Sequence, residues 1–139
     1  MSGAAGTAGT AGTARVVLVE DDPTIRAVVE ILLETEPDLE LVGSAASAEL
    51  GIELVRREAP DLLLLDNQLE GTLTGVAAAS AFKEAFPGVV VLLCTALDLA
   101  EVAAANADID GYLRKDQLAV LPDVARALLA ARRAGPGDC

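Results

Sequence analysis

Four places in the sequence carry residue types able to do chemistry together. Glu20, Asp21 and Asp22 follow the apolar run Val-Val-Leu-Val. Asp66 closes the stretch Asp61-Leu-Leu-Leu-Leu-Asp66. Thr95 follows Val-Val-Leu-Leu-Cys, and Lys115 follows Gly-Tyr-Leu-Arg. The set is several carboxylates, one hydroxyl and one ammonium. Carboxylates gathered at one point repel, by roughly 4 kcal/mol per pair at about 4 Å and an effective dielectric near 20. Such a cluster needs raised pKa values, separation or a cation. A hard divalent ion suits it: magnesium takes one or two carboxylates, keeps waters and leaves positions for phosphate oxygens. Taken singly, each residue has a plainer reading. Asp22 before Pro23 is a helix N-cap followed by a first-turn proline. Glu20 and Asp21 suit the positive end of a helix. Thr95 would be strand-end filler and Lys115 a solvated lysine. Yet eight of the ten basic residues are arginine, and only Lys83 and Lys115 are lysine. A compact ammonium on a flexible stem is not interchangeable with a guanidinium.

These residues need elements that bring them together. A β-branched run over 15–20 predicts strand one. Ile25, Val28, Val29, Leu32 and Leu33 then recur at helical spacing, and Pro37 ends that region. Residues 39–45 form a second strand. Ser47 caps a helix with Ala48, Ile52, Val55 and Ala59 on one face, stopped by Pro60. Strand three covers 61–65, its leucines buried on both faces as in the middle of a parallel sheet. A polar loop with Gly71 spans 67–74. A helix follows over 75–86, with Val76, Ala79, Phe82 and Phe86 inward, broken by Pro87-Gly88. Strand four spans 89–94. Asp98 and Glu101 form a capping-box-like pair for a short alanine-rich helix. Ile109, Tyr112 and Leu113 mark a fifth strand at 108–113. A last helix from Gln117 or Leu121 carries Leu121, Val124, Leu128 and Leu129. Five βα units with short connections predict a parallel sheet covered on both faces, too small for an eight-stranded barrel and therefore open and doubly wound. Ligands of such sheets gather at the carboxyl ends of the strands, where all four places fall. If strands one and three are neighbours, their acids share a pocket.

Composition narrows the function. The chain has 139 residues and a net charge of −12. That argues against direct nucleic-acid binding, which must attract phosphates, and favours a cation or a basic partner face. No apolar run approaches the roughly 20 residues of a membrane span. Two cysteines, Cys94 and Cys139, do not make a disulfide framework, and the cytoplasm is the expected compartment. Residues 1–14 are a Gly-Ala-Thr repeat expected to be a disordered leader, not a signal peptide. Residues 15–133 are the expected domain and 134–139 a flexible tail.

In order, these stretches make the sequence recognisable. Val-Leu-Val-Glu20-Asp21-Asp22-Pro-Thr-Ile-Arg26, Asp61-Leu-Leu-Leu-Leu-Asp66, Val-Leu-Leu-Cys-Thr95-Ala96 and Asp110-Gly-Tyr112-Leu-Arg-Lys115-Asp116 resemble the receiver domain of bacterial two-component response regulators. The resemblance runs from about Arg15 to Arg133. It implies a flavodoxin-like (βα)5 fold, an open doubly wound α/β domain with its five parallel strands in the order 2-1-3-4-5. It implies that Asp66 is phosphorylated, and that Mg2+ is held by Asp21, by Glu20 mainly through water, by Asp66 and by the backbone carbonyl of Gln68. It gives Thr95 the switch hydroxyl, Lys115 the pairing with acceptor and phosphoryl group, and Tyr112 the aromatic switch. The implied partners are a sensor histidine kinase or phosphotransfer protein, and a downstream protein or effector domain met through the helix 4–strand 5–helix 5 surface. A homodimer is compatible with it, and a membrane is not implied. On this reading the chain is not an enzyme but a signalling module with self-catalysed phosphotransfer and slow autodephosphorylation.

The sequence departs from the family at three points. Glu70 stands where a proline is usual four residues after the acceptor, the loop before Gly75 is one residue longer than usual, and Asp116 replaces a frequent proline after Lys115. Gln68 and Leu97 occupy positions that tune dephosphorylation in the family. The Gly-Tyr-Leu-Arg-Lys-Asp stretch is closer to receivers that precede a helix-turn-helix domain. Two output readings follow, a single-domain regulator or the receiver of a longer DNA-binding transcriptional regulator. A degenerate receiver used as a non-phosphorylated scaffold is a further reading. An aspartyl phosphatase would want Asp-x-Asp, but Asn67 and Gln68 follow Asp66. A flavin carrier would want a phosphate-binding loop after strand one and more aromatic residues than two Phe and one Tyr.

Overall fold

The computed structural model describes residues 13–133; the proposed leader (but for residues 13 and 14) and the proposed tail lie outside the described residues. Its elements run β1 (Ala14–Val19), α1 (Pro23–Glu34), β2 (Leu39–Ala45), α2 (Ala48–Glu58), β3 (Leu62–Leu65), α3 (Gly75–Ala85), β4 (Val90–Thr95), α4 (Ala100–Ala105), β5 (Gly111–Arg114), a 3-10 turn (Lys115–Val120) and α5 (Leu121–Arg133). All four strand pairings are parallel and the sheet order is β2-β1-β3-β4-β5. This is the expected 2-1-3-4-5 doubly wound fold. The order reverses between β1 and β3, which opens a crevice at their carboxyl ends.

The four leucines of β3 show why the sheet must be covered on both sides. Successive side chains of a strand point to opposite faces. Leu62 and Leu64 join Val16, Leu18, Val29, Leu33, Leu92, Leu121 and Leu129 in one core, beneath α1 and α5. Leu63 and Leu65 join Val17, Val19, Val55, Ala79, Phe82, Leu93 and Ala103 in the other, beneath α2, α3 and α4. All four leucines are buried. A polar residue at any of them would face a core, whichever way the strand pointed.

Several boundaries differ from expectation, each for a local reason. The sheet claims Ala14, which pairs with Leu39, so β1 begins one residue inside the expected leader. Helix α4 starts at Ala100, with Leu99 at its N-cap position and no side-chain cap. Asp98 Oδ1 accepts weakly from Ala100 N at 3.5 Å, and no hydrogen bond among the described residues joins Asp98 to Glu101, so the expected capping box is not formed. Strand β5 starts at Gly111, and just before it the Asp110 N–H donates to Val91 O at 2.8 Å while the Asp110 side chain makes a second set of contacts. Its Oδ2 accepts from Val91 N and from Lys83 Nζ, tying the α4–β5 turn to β4 and α3. The inward face of α2 is Ala48, Gly51, Leu54 and Val55, with Ile52 half-buried and Ala59 exposed. On α3, Ala78 is buried, whereas Val76 and Phe86 are only half-buried. The last helix is reached through the 3-10 turn, kinked at Gln117, that drops Leu118 into the core.

Candidate functional site

The site forms where β1 and β3 end side by side. Val19 pairs with Leu65, and Asp66 N donates to Val19 O at 3.0 Å, so the chain holds its sheet position one residue past the strand. Glu20 is held in the same way, its N–H donating to Ala45 O at 2.9 Å. Both side chains are buried, Glu20 2% and Asp66 3% exposed. Asp21 is half-buried beside them. Glu20, Asp21 and Asp66 each offer an oxygen within 4.8 Å of the others.

Lys115 reaches this pocket from the end of β5. Its ammonium lies 2.8 Å from Glu20 Oε1 and 3.1 Å from Asp66 Oδ2. Lysine suits this position because its ammonium is compact enough to bridge two carboxylates at the mouth of a narrow crevice. Burial pushes the Glu20 carboxyl up, against the opposing pull of the Lys115 ammonium and the Asp22 N–H, and the Asp66 charge adds to the rise. Burial opposes the charge on Lys115, but Glu20 and Asp66 together hold its pKa above the ordinary lysine value.

Two features fit the residues present to a divalent cation. Three carboxylates face one ammonium, which leaves negative charge uncompensated. Asp66 Oδ1 is buried with no hydrogen-bond partner among the described residues, a placement that ordinarily costs about 1–3 kcal/mol or more for a charged group. An oxygen held bare in a polar crevice is what an ion with oxygen ligands requires.

The other expected residues take distinct places. Thr95 is fully buried at the end of β4, and its Oγ1 accepts from Leu97 N at 3.2 Å. Thr95 pairs with Arg114, next to Lys115. Tyr112 is half-buried; its hydroxyl donates to Leu97 O at 2.8 Å and accepts from Leu99 N at 3.1 Å. Thr95 and Tyr112 thus hold the β4–α4 loop from opposite ends. Asp22 is not drawn into the pocket. It is exposed and caps α1 by accepting from Thr24 N at 2.8 Å. Its own N–H donates to Glu20 Oε2 at 3.0 Å, so the cap also steadies the buried carboxylate. Gln68 is exposed on the loop after Asp66.

Three contributors were not assigned roles from sequence. Asn67 accepts from Gly75 N through its main-chain oxygen and from Val76 N through Oδ1, fastening the start of α3 to the end of β3. Gly75 is required there, since a Cβ would stand 2.2 Å from Asp66 O. Its signal was a glycine opening a helix, where no conformational freedom is needed and only close approach explains it. Arg26 donates to Glu20 O at 2.9 Å, an i,i+6 contact that no helical periodicity marks.

The fold and this crevice define a class: an open doubly wound α/β domain with an acidic, lysine-bridged site at its switch point. A family model for the response regulator receiver domain matches residues 16–124, and the chain belongs to that family. It is 34% identical over 103 residues to the nitrate/nitrite response regulator protein NarL of Escherichia coli K12, covering 73% of this chain and 47% of that protein. It is 32% identical over 121 residues to the response regulator protein VraR of Staphylococcus aureus, covering 86% of this chain and 56% of that one. A solved LuxR-family two-component response regulator from Aurantimonas superposes with a TM-score of 0.78 at 30% identity, covering 86% and 87% of the two chains. The chain therefore spans about half the length of these two curated relatives. No helix among the described residues is long and apolar enough to cross a membrane.

Proposed function

We propose that this receiver accepts a phosphoryl group on Asp66 from a phosphohistidine and uses the added charge to change its α4–β5–α5 surface. The observation that carries this reading is the buried Asp66 carboxylate, bridged on one oxygen by Lys115 and bare on the other. The unbridged Oδ1 is the nucleophile. It forms the new P–O bond as the P–N bond to the donor imidazole breaks, and the imidazole keeps the electron pair and takes a proton. The chain has no histidine and so cannot itself be the donor, a role that falls to a sensor kinase or phosphotransfer protein. Transfer of this kind depends on positioning and on neutralising the equatorial oxygens. Lys115 supplies a preorganised positive charge for this, already seated between Glu20 and Asp66. Glu20, Asp21, Asp66 and the Gln68 carbonyl would hold Mg2+, which when bound supplies further charge neutralisation at the phosphoryl oxygens.

Phosphorylation adds roughly 1.5 to 2 negative charges. The Thr95 hydroxyl accepts from Leu97 N and keeps its own proton free to donate to a phosphoryl oxygen. Movement of Thr95 would release the 96–99 loop, and Tyr112, bonded to that loop at Leu97 and Leu99, would follow. The change is a shift between two populations. Leu97, whose carbonyl accepts from Tyr112, and Val102 on α4 are exposed and supply the apolar part of a partner surface. The working compartment is the cytoplasm, the unit is residues 15–133, and slow autodephosphorylation resets it.

A second reading concerns output. Because the chain spans about half of NarL and VraR, the same switch can serve as the receiver of a longer regulator, one that binds DNA on the reading of the Gly-Tyr-Leu-Arg-Lys-Asp stretch. The test is intact mass after incubation with Mg2+ and acetyl phosphate, beside Asp66→Asn. One added phosphoryl group, absent in the variant and without Mg2+, is expected. No addition, with no ion bound, would leave a degenerate receiver acting as a scaffold. Tyr112→Ala tests the surface: partner binding with unchanged phosphorylation dependence would remove Tyr112 from the switch.

A further inference from the structure

We propose that the backbone amide of Glu70 and the left-handed turn at Gly71 position the Gln68 carbonyl, and so set the affinity of the site for its divalent ion. The inference rests on the receiver reading above and concerns how its ion site is preorganised. The chain leaves the sheet at Asp66 and re-enters regular structure at Gly75. The near end is fixed by Asn67, through Gly75 N at 2.9 Å and Val76 N at 3.0 Å. A second fixed point lies outside the loop. Glu70 N donates to Ala46 O at 3.4 Å, and Glu70 forms a parallel bridge with Ser47. Ser47 is itself immobilised as the N-cap of α2, its Oγ accepting from Leu50 N at 3.2 Å. The loop is therefore tied across the end of β2 to a helix that takes no part in the acidic cluster.

Gln68 lies one residue from the first tie and two from the second. Its main chain is restrained before any ion arrives, and the entropy of ordering it is lost on folding, not on binding. The tie needs two particular residues. Position 70 must carry an N–H, which proline lacks. Position 71 has φ +90, and a Cβ there would also stand 3.2 Å from Glu49 Oε1. Glycine takes this conformation freely, asparagine tolerates positive φ, and a β-branched residue strongly resists it. Only the Glu70 amide makes the tie; its side chain does not.

The experiment uses Mn2+ as the probe, its free signal read by electron paramagnetic resonance, on the full chain and three variants whose folding is checked by circular dichroism. Gly71→Val is expected to weaken Mn2+ binding about tenfold, equivalent to about 1.4 kcal/mol. Gly71→Asn should stay closer to wild type, and Glu70→Ala should bind as wild type does. In the ion-free protein the Glu70 amide should exchange its hydrogen more slowly than the amides of Gly71 and Thr72. Folded Gly71→Val with wild-type affinity would overturn the proposal, as would a rapidly exchanging Glu70 amide. A loss in Glu70→Ala equal to that in Gly71→Val would assign the effect to the carboxylate instead. If Gly71→Val does not fold, Gly71→Ala gives the same comparison. A wild-type protein that takes no Mn2+ would overturn the receiver reading as well. Wild type that binds Mn2+ and phosphorylates, with Gly71→Val unmoved, would overturn only the positioning role.

Discussion

Replacing Lys115 with methionine removes the charge that lets two buried carboxylates coexist and keeps most of the side-chain volume. At 2.8 and 3.1 Å, each contact of the ammonium is a gross attraction of about 5–6 kcal/mol at an effective dielectric near 20. Desolvation of three buried groups offsets much of that, so the gross figure is not the expected loss. The variant's own escape routes set the magnitude. It can keep both charges, whose oxygens lie within 4.8 Å, at about 3–4 kcal/mol of repulsion. Alternatively it can hold Glu20 protonated. From an ordinary carboxyl value of about 4.3, that costs roughly 4 kcal/mol at pH 7. The two routes agree, so Lys115→Met should lose about 3–4 kcal/mol of stability at pH 7 in chelator. Along the second route the folded variant binds more protons than the unfolded chain between about pH 4.3 and neutrality, so the deficit shrinks as pH falls, to about 1 kcal/mol at pH 5. Millimolar Mg2+ should also shrink it, because an ion replaces the lost charge. Urea unfolding followed by far-ultraviolet circular dichroism, at both pH values with and without Mg2+, measures all three. A deficit below about 1 kcal/mol that is the same at pH 7 and pH 5 and unmoved by Mg2+ would refute the claim that Lys115 compensates this pocket.

Gly75→Ala should cost about 1–3 kcal/mol by overpacking, since the new Cβ must displace Asp66 O or the start of α3, and it should slow phosphorylation by acetyl phosphate in the mass assay. Arg126 ties α5 to the α1–β2 turn through Asp38 at 2.8 Å and through Glu36, and its hydrogen bonds hold the Asp38 carboxyl below its ordinary value. That contribution is present above the unfolded carboxyl pKa and is lost as pH falls through the depressed value. Arg126→Ala should therefore lower the urea midpoint slightly at pH 7, and the difference from wild type should close in strong acid. Burial raises the Cys94 thiol to about 12, with the Asp66 charge adding to the rise. Cys94 should resist a thiol reagent at pH 8 in the folded protein and react only on unfolding; native-state labelling at Cys94 would contradict the packing of β4.

The doubly wound architecture was legible from sequence because its signals are local. Four leucines between acids, prolines at 23, 37, 60 and 87, and caps at Asp22 and Ser47 each act within a few residues, and each recurs in the structure. The candidate residues were legible because chain order and strand ends placed them on one edge. Where the sequence misled, a distant partner overrode a local preference. Asp98 and Glu101 have capping-box spacing, yet the β4–α4 loop is held by Thr95 and Tyr112, and the helix starts at Ala100 without a side-chain cap. Residues 108–110 read as the first half of a strand, yet the regular strand starts at Gly111, and the Asp110 side chain binds Lys83 and Val91 N. Residue patterns alone left open whether the acids would meet; the family resemblance implied that β1 and β3 are neighbours and the sheet order bears it out, since strand order depends on how helices pack on two faces. The bare carboxylate oxygen of Asp66, the approach of Gly75 to the Asp66 main-chain carbonyl, and the tie from Glu70 to Ala46 likewise belong to the tertiary structure alone. Each joins residues whose separation along the chain carries no period, so only folding brings them into contact.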